Sequence, residues 1–282
     1  MKPSITILIF FFFQTLTGFT QVSQRLVVSD AVSRKGIPYA TIKVLNKPEG
    51  TYADELGRFE VKTSTKDSLL VTCVGYQSKI VVLQRDTIFL YPVVVNLGEI
   101  RVRSKKSKEY AVGLADSRRE GTFYFCGNVH TEISVMIKIP DSFTYYRIKG
   151  VKFNSKHENG IRLVRLHIYS QSKDGTPDKE LLPKDLIINN NLKSNGQIDL
   201  SRFNLILNDR VLFVGIEEIQ SVTKSDSKKL DECIGIGITS EEKQDLSYHR
   251  TLRDPNYQWK PSFYGLKRRG NPENLMVSLI FD

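Results

Sequence analysis

The sequence predicts an all-β protein made of two consecutive β-sandwiches, the second of jelly-roll type. Apolar residues alternate with polar ones at a period of two in short runs, and clusters of Gly, Pro, Asn and Asp separate those runs. No stretch repeats its apolar residues at the helical interval. Strands so closely bounded by turns bury one face each, and two stacked sheets are the simplest way to do so.

Residues 35–82 show the pattern best. Pro38 fixes φ and lacks an N–H, which suits the start or edge of a strand, and Ala40, Ile42 and Val44 then share one face. Residues 46–50 make a turn. Residues 54–57 make another, with Gly57 free to take a positive φ, and Phe59 and Val61 resume the inward alternation. Leu69, Val71 and Cys73 alternate with Leu70, Thr72 and Val74, a run apolar on both faces, as expected of a central strand in a small antiparallel sandwich. Cys73 is expected to be buried there.

Three short motifs in this region, Gly36-Ile37-Pro38-Tyr39-Ala40, Gly57-Arg58-Phe59 and Val74-Gly75-Tyr76-Gln77, occur in order. Together they resemble the carboxypeptidase-regulatory-like domain of many secreted and outer-membrane proteins of the Bacteroidetes, over residues 25–95. The resemblance implies a transthyretin-like β-sandwich that serves as an accessory module, and it implies no peptidase activity.

The amino terminus has Lys2, an apolar run over residues 5–13, and then small or polar residues, the layout of a signal peptide over residues 1–20. The run falls short of the ~20 apolar residues that span a bilayer as a helix. No later stretch meets that length, so no transmembrane segment is expected in the mature chain. The organisation then reads as a first sandwich over residues 21–97, a basic linker over residues 98–120, and a second sandwich over residues 121–282. Export to the periplasm, the outer membrane or the medium is the expected destination.

Of 282 residues, 40% are hydrophobic and 26% charged, enough apolar material for two cores and too little charge excess for disorder. The net charge of +10 comes most densely from Arg101, Arg103, Lys105, Lys106 and Lys108, and again from Lys267-Arg268-Arg269. Aromatics for base stacking are not interleaved with the first run, so it reads as a solvated linker, the alternative being weak attraction for anionic polysaccharide or lipid head groups, and nucleic acid is not an expected partner. The three cysteines are Cys73, Cys126 and Cys233. An odd number leaves at least one thiol free, with Cys73 the candidate, while Cys126 and Cys233 can pair only if their Cα atoms approach to ~5.5 Å.

The second region opens with Ile133, Val135, Ile137 and Ile139 on one face of a strand. Residues 147–153 give another strand. In residues 161–169, Val164, Leu166 and Ile168 oppose Arg165, His167 and Tyr169, ahead of a polar loop over residues 170–180. Residues 211–216, 234–238 and 275–281 complete the series.

A search for catalytic constellations yields none. A zinc peptidase needs an H-x-x-E pair, yet the residues three beyond His130, His157, His167 and His249 are Ile133, Gly160, Ser170 and Leu252. His157-Glu158 begins a zincin motif that Asn159-Gly160-Ile161 does not continue. His130 and Glu132 read as a surface pair. Glu217 and Glu218 are adjacent on a strand, so they point to opposite faces and cannot share a proton, with Glu218 placed at the sandwich rim. There is no G-x-S-x-G elbow, and Cys126 with His130 carries no recognised flanking signature.

No metal site or cofactor is therefore expected. The candidate recognition surface is the late aromatic segment, with Tyr257, Trp259, Phe263 and Tyr264 beside Arg253, although a lone Trp also serves as packing at a core edge. The functional expectation is a non-enzymatic exported envelope protein that binds or scaffolds an envelope protein or glycan. The alternative is a hydrolase with an unrecognised site in the second region.

Overall fold

In a computed structural model of the chain, the described residues are 23–64, 66–82, 86–93, 108–125, 130–156, 162–189, 196–221, 234–261, 267–268 and 270–282. The expected signal peptide, the basic run over residues 101–106, Cys126, Cys233, Phe263 and Tyr264 lie outside them. No helix among the described residues is long and apolar enough to cross a membrane.

The first unit comprises β1 (Ser23–Asp30), β2 (Thr41–Val44), β3 (Gly50–Tyr52), β4 (Arg58–Lys62), β5 (Ser68–Thr72), β6 (Lys79–Val82) and β7 (Thr87–Leu90). They form a three-stranded sheet, β4-β1-β7, and a four-stranded sheet, β3-β2-β5-β6. Alternation decides which side chains turn inward: on β4, Phe59 and Val61 are buried while Arg58, Glu60 and Lys62 are exposed. Leu26, Val28, Ile42, Phe59, Leu69 and Leu90 meet in one core between the sheets. Gly57 closes the turn before β4 at φ +77°, where a Cβ would lie 2.5 Å from the Val28 carbonyl oxygen. The sandwich is not wholly antiparallel, because β1 and β7 pair in parallel. The last strand returns beside the first in the same direction, a long-range pairing that local alternation does not encode.

The second unit begins with β8 (Tyr110–Gly113), β9 (Gly121–Phe125), β10 (Thr131–Lys138), β11 (Tyr146–Phe153), β12 (Ser155–Lys156), β13 (Arg162–Gln171), β14 (Pro177–Glu180), β15 (Ile187–Asn189) and β16 (Gln197–Asp199). It continues with β17 (Ile206–Leu207), β18 (Val211–Ser221), β19 (Ile234–Thr239), β20 (Ser247–Thr251), β21 (Lys260–Pro261), β22 (Lys267–Arg268), β23 (Asn271–Pro272), β24 (Asn274–Leu275) and β25 (Val277–Phe281). A seven-stranded sheet runs β14-β13-β18-β10-β20-β21, with β15 also on β13, and a five-stranded sheet runs β16-β11-β25-β8, with β17 on β11. Val135, Ile137, Leu166, Val214, Ile148 and Phe281 fill the space between these two sheets.

Two expectations shift in this unit. Strand β8 falls inside the span assigned to the basic linker and pairs with β25, and Val112 packs on the core. The polar span 170–180 contains the end of β13 and all of β14, an edge strand held by backbone pairing with little apolar side-chain burial. β14 has too few apolar residues to announce itself, and β8, Tyr110–Gly113, is too short to show a period.

Phe281 is fully buried, with ring centroids of Phe143 and Tyr146 at 4.9 and 5.2 Å. Phe281→Ala is expected to cost about 3–5 kcal/mol of unfolding free energy in urea. Tyr145→Ala, at an exposed position, should stay within about 0.5 kcal/mol of the parent.

Candidate functional site

Every strand of the large sheet has a second face, turned away from the core, and where β10, β13, β18 and β20 lie side by side that face carries Glu132, Arg165, His167, Glu217 and Arg250, all buried except the half-buried Arg250. The register lines up four charged residues across four adjacent strands: Arg165 on β13 opposite Glu217 on β18, Glu217 opposite Glu132 on β10, and Glu132 opposite Arg250 on β20. The order of charges is plus, minus, minus, plus. Two carboxylates directly opposite each other repel, so each needs its own cation.

Arg165 is buried to 1% exposure. Its Nε donates to Asp185 Oδ1 at 2.7 Å and its Nη1 to Glu217 Oε2 at 2.5 Å. On the other side of the row, Arg250 Nε donates to Glu132 Oε2 at 2.7 Å, and Tyr169 Oη donates to Glu132 Oε1, also at 2.7 Å. His167 sits one alternation along β13 from Arg165. Its Nδ1 lies 2.6 Å from Glu180 Oε2, and its Nε2 lies 3.3 Å from Glu217 Oε2. Gly215, opposite His167, makes room for this: a Cβ there would stand 2.8 Å from Glu132 Oε1 and 3.0 Å from His167 Cβ.

Burial alone would strip the proton from His167, but the surrounding carboxylates of Glu132, Glu180 and Glu217 reverse that and raise its pKa from 6.5 to about 10. Burial likewise opposes the charge of Glu217, and Arg165 with His167 overcomes it, holding the carboxyl well below its usual range. Three cations thus face four carboxylates, with Arg165, His167, Glu132 and Glu217 buried and Arg250, Glu180 and Asp185 half-buried at the margin.

The first unit supplies much of the cover. Arg165 Nη1 donates to Thr41 Oγ1 at 3.0 Å, Arg165 Nη2 donates to the Tyr39 carbonyl, and Tyr52 Oη donates to Glu217 Oε1 at 3.0 Å. Tyr39 holds a left-handed φ of +56°. Val74 packs into the core of the second unit, and Gly75, at φ +85°, comes so close to Pro183 that a Cβ would lie 2.9 Å from its carbonyl oxygen. Cys73 Sγ donates to Asp185 Oδ2 at 3.9 Å. Burial pushes that thiol up to about 12, so it is protonated at neutral pH, and Cys73 is free and buried as expected.

Beside this seam a cleft of about 680 Å³ opens between the units, lined by Leu26, Tyr52, Phe59, His130 and Ile219 among others.

Residues 27–102 match the family model of the CarboxypepD_reg-like domain. The amino-terminal sandwich is a CarboxypepD_reg-like domain. Its Gly-Ile-Pro-Tyr-Ala and Val-Gly-Tyr motifs are the segments that supply Tyr39, Val74 and Gly75 to the seam. No curated protein sequence matches the chain. Among solved structures, the chain is similar to the cysteine protease and lectin-like domains of Cwp84, a surface layer associated protein of Clostridium difficile, at 9% identity and a TM-score of 0.42, covering 86% of this chain and 58% of that one. It is also similar to infectious bursal disease virus Gt strain at 15% identity and a TM-score of 0.26, covering 93% of this chain and 59% of that one. The chain thus spans less than two thirds of either structure.

The residues expected from sequence are dispersed around the site. Tyr257 and Trp259 are half-buried over the Arg250 guanidinium, at 4.8 and 4.4 Å from ring centroid to Cζ, and Arg253 is exposed. Trp259 also packs on the small apolar cluster of Met136, Tyr169 and Phe213. The expected surface pair of His130 and Glu132 is not one: Glu132 is buried on Arg250 and Tyr169, and His130 turns to Tyr52, ring centroids 5.3 Å apart. Glu218, placed at the rim from sequence, is buried to 5% exposure. The charge network itself was missed, because alternation marked Arg165 and His167 as a polar face and nothing local says what covers it.

Arg165→Met leaves the half-buried Asp185 without its Arg165 partner and the buried Glu217 with only His167 as a neighbouring cation, and is expected to cost about 3 kcal/mol, measured by chemical denaturation. Stability should also fall on both sides of a plateau. The raised pKa of His167 contributes stability that is complete below 6.5 and lost as pH rises toward about 10. The lowered pKa of Glu217 contributes stability that is complete above 4.5 and lost as pH falls below it. His167→Gln should flatten the alkaline limb of a stability–pH curve and shrink the acid limb without abolishing it, because Arg165 still holds Glu217 down.

Proposed function

We propose that this protein is a non-enzymatic exported envelope protein whose two sandwiches form one binding unit for an envelope protein or glycan. The observation that carries this reading is how the charged groups are used. Arg165, Arg250, His167, Glu132, Glu180, Glu217 and Asp185 are paired with one another inside the molecule, a condition that suits a weld between units better than a reacting centre. A general base must reach a substrate proton, and these carboxylates reach buried cations.

Two further features support the reading. The CarboxypepD_reg-like domain is of a type that the resemblance describes as an accessory module, and the leader-like segment over residues 1–20 fits export. A protein of this kind offers surfaces for recognition and keeps its polar interior for holding shape. Nucleic acid is not among the proposed partners.

The test is to express the whole chain in an export-competent bacterium, recover it from the envelope or medium, and read its amino terminus by mass spectrometry. The mature chain is expected to begin near Gln21. The same material, immobilised, should retain a specific component of envelope extract or a glycan panel. It should turn over no ester, peptide or glycoside substrate, and reproducible turnover lost on mutation of a single residue would overturn the proposal.

A further inference from the structure

The cleft between the units holds chemistry that the charge network does not use. Its volume of about 680 Å³ falls among the ~300–1,000 Å³ of sites that hold small ligands. The floor is Leu26, Phe59 and Ile219, with exposures of 1%, 4% and 4%. With half-buried Val27 and the Tyr52 ring, the open lining is more apolar than polar, so a ligand that pairs an apolar face with polar edges would match it best.

The lining also carries polar groups. Asp54, Arg58 and Glu60 are exposed, and Thr51, Tyr52 and His130 are half-buried. Arg58 and Glu60 stand two apart on β4 and project from one face, while Phe59 between them turns to the core. Asp54 is fixed above them, its Oδ1 accepting from the backbone N–H groups of Leu56 and Arg58 at 2.8 Å each. Tyr52 has its hydroxyl committed to Glu217, so what it offers the cleft is its ring. That ring meets the imidazole of His130 at 52°.

His130 is held at φ +43°. A left-handed backbone at a non-glycine residue costs of order ~1–3 kcal/mol and concentrates where a side chain must be aimed. Tyr39 and Tyr257, at φ +56° and +49°, lie at the same seam. Burial and the nearby Arg253 lower the pKa of His130, so at neutral pH its ring offers one donor and one acceptor.

We infer that the cleft binds a neutral oligosaccharide, one sugar's C–H face resting on Tyr52 and His130 and its hydroxyls shared among Asp54, Arg58 and Glu60. Planar carboxylate and guanidinium groups match vicinal hydroxyls two at a time, and aromatic rings match the apolar face of a pyranose. The lining carries two carboxylates and one guanidinium. An acidic saccharide would meet the like charges of Asp54 and Glu60, whereas the hydroxyls of a neutral one can donate to the carboxylates and accept from the guanidinium. The inference rests on the binding reading above and names the ligand class for it.

The experiment is calorimetric titration of the full mature protein with short neutral hexose oligosaccharides, with uronic-acid oligosaccharides and apolar peptides as comparisons. Saturable binding of a neutral member is expected. Arg58→Ala and Glu60→Gln, both at exposed positions, should each weaken it about tenfold with an unchanged unfolding midpoint, and Lys173→Ala, on the β13–β14 turn, should not weaken it. Equal binding by the Arg58→Ala and Glu60→Gln variants would overturn the cleft as the site. Preference for the acidic sugars or the peptides would overturn the ligand class. If no neutral sugar binds the parent protein, the inference fails, and parallel retention of a defined envelope protein would show that the broader binding reading survives it.

Discussion

A guanidinium with 1% exposure sets the terms for this structure. Arg165 cannot be discharged, so its charge must be matched wherever the fold puts it, and the fold puts it between two sandwiches. The second unit provides Glu217 and Asp185, and the CarboxypepD_reg-like domain provides the Tyr39 carbonyl and the Thr41 hydroxyl. Separating the units would strip two of these partners. Docking is therefore built into the satisfaction of one side chain.

The rest of the polar face follows from the same requirement. Two opposed carboxylates, Glu132 and Glu217, are stable side by side only because Arg250 and Arg165 flank them and His167 is charged between them. Gly215 gives up its side chain so that this can happen. Ion networks of this sort add little net stability over an apolar interface of equal size, and their cost when broken is high. The relative placement of the sandwiches in this structure gives each of these groups a partner. Tyr257 and Trp259, which from sequence alone look like a recognition surface, are drawn into this arrangement as the aromatic cover of Arg250.

The cleft is a by-product of that docking with its own chemistry. One wall is the outer face of β4 and the other is His130 with Ile219, and neither unit forms it alone. Tyr52 belongs to both systems, its hydroxyl in the network and its ring in the cleft. Occupancy of the cleft and integrity of the weld therefore share a side chain, a physical link between ligand and domain arrangement.

Much of the architecture was legible in the sequence, because alternation at period two is a local signal. Phe59 and Val61, Leu69 and Val71, and Ile133 through Ile139 all lie inward as their spacing requires, and Gly57 takes the positive φ its turn needs. The polar β14 is held by backbone pairing and leaves no apolar signature, while β8, Tyr110–Gly113, has too few residues to show a period. What only the tertiary structure decided is which charges meet. Arg165, Glu217, Glu132 and Arg250 come from four separate strands, and strand register, with the cover laid down by the other sandwich, places them in one row. A sequence states that a face is polar. Whether that face meets water or another domain is settled by long-range packing.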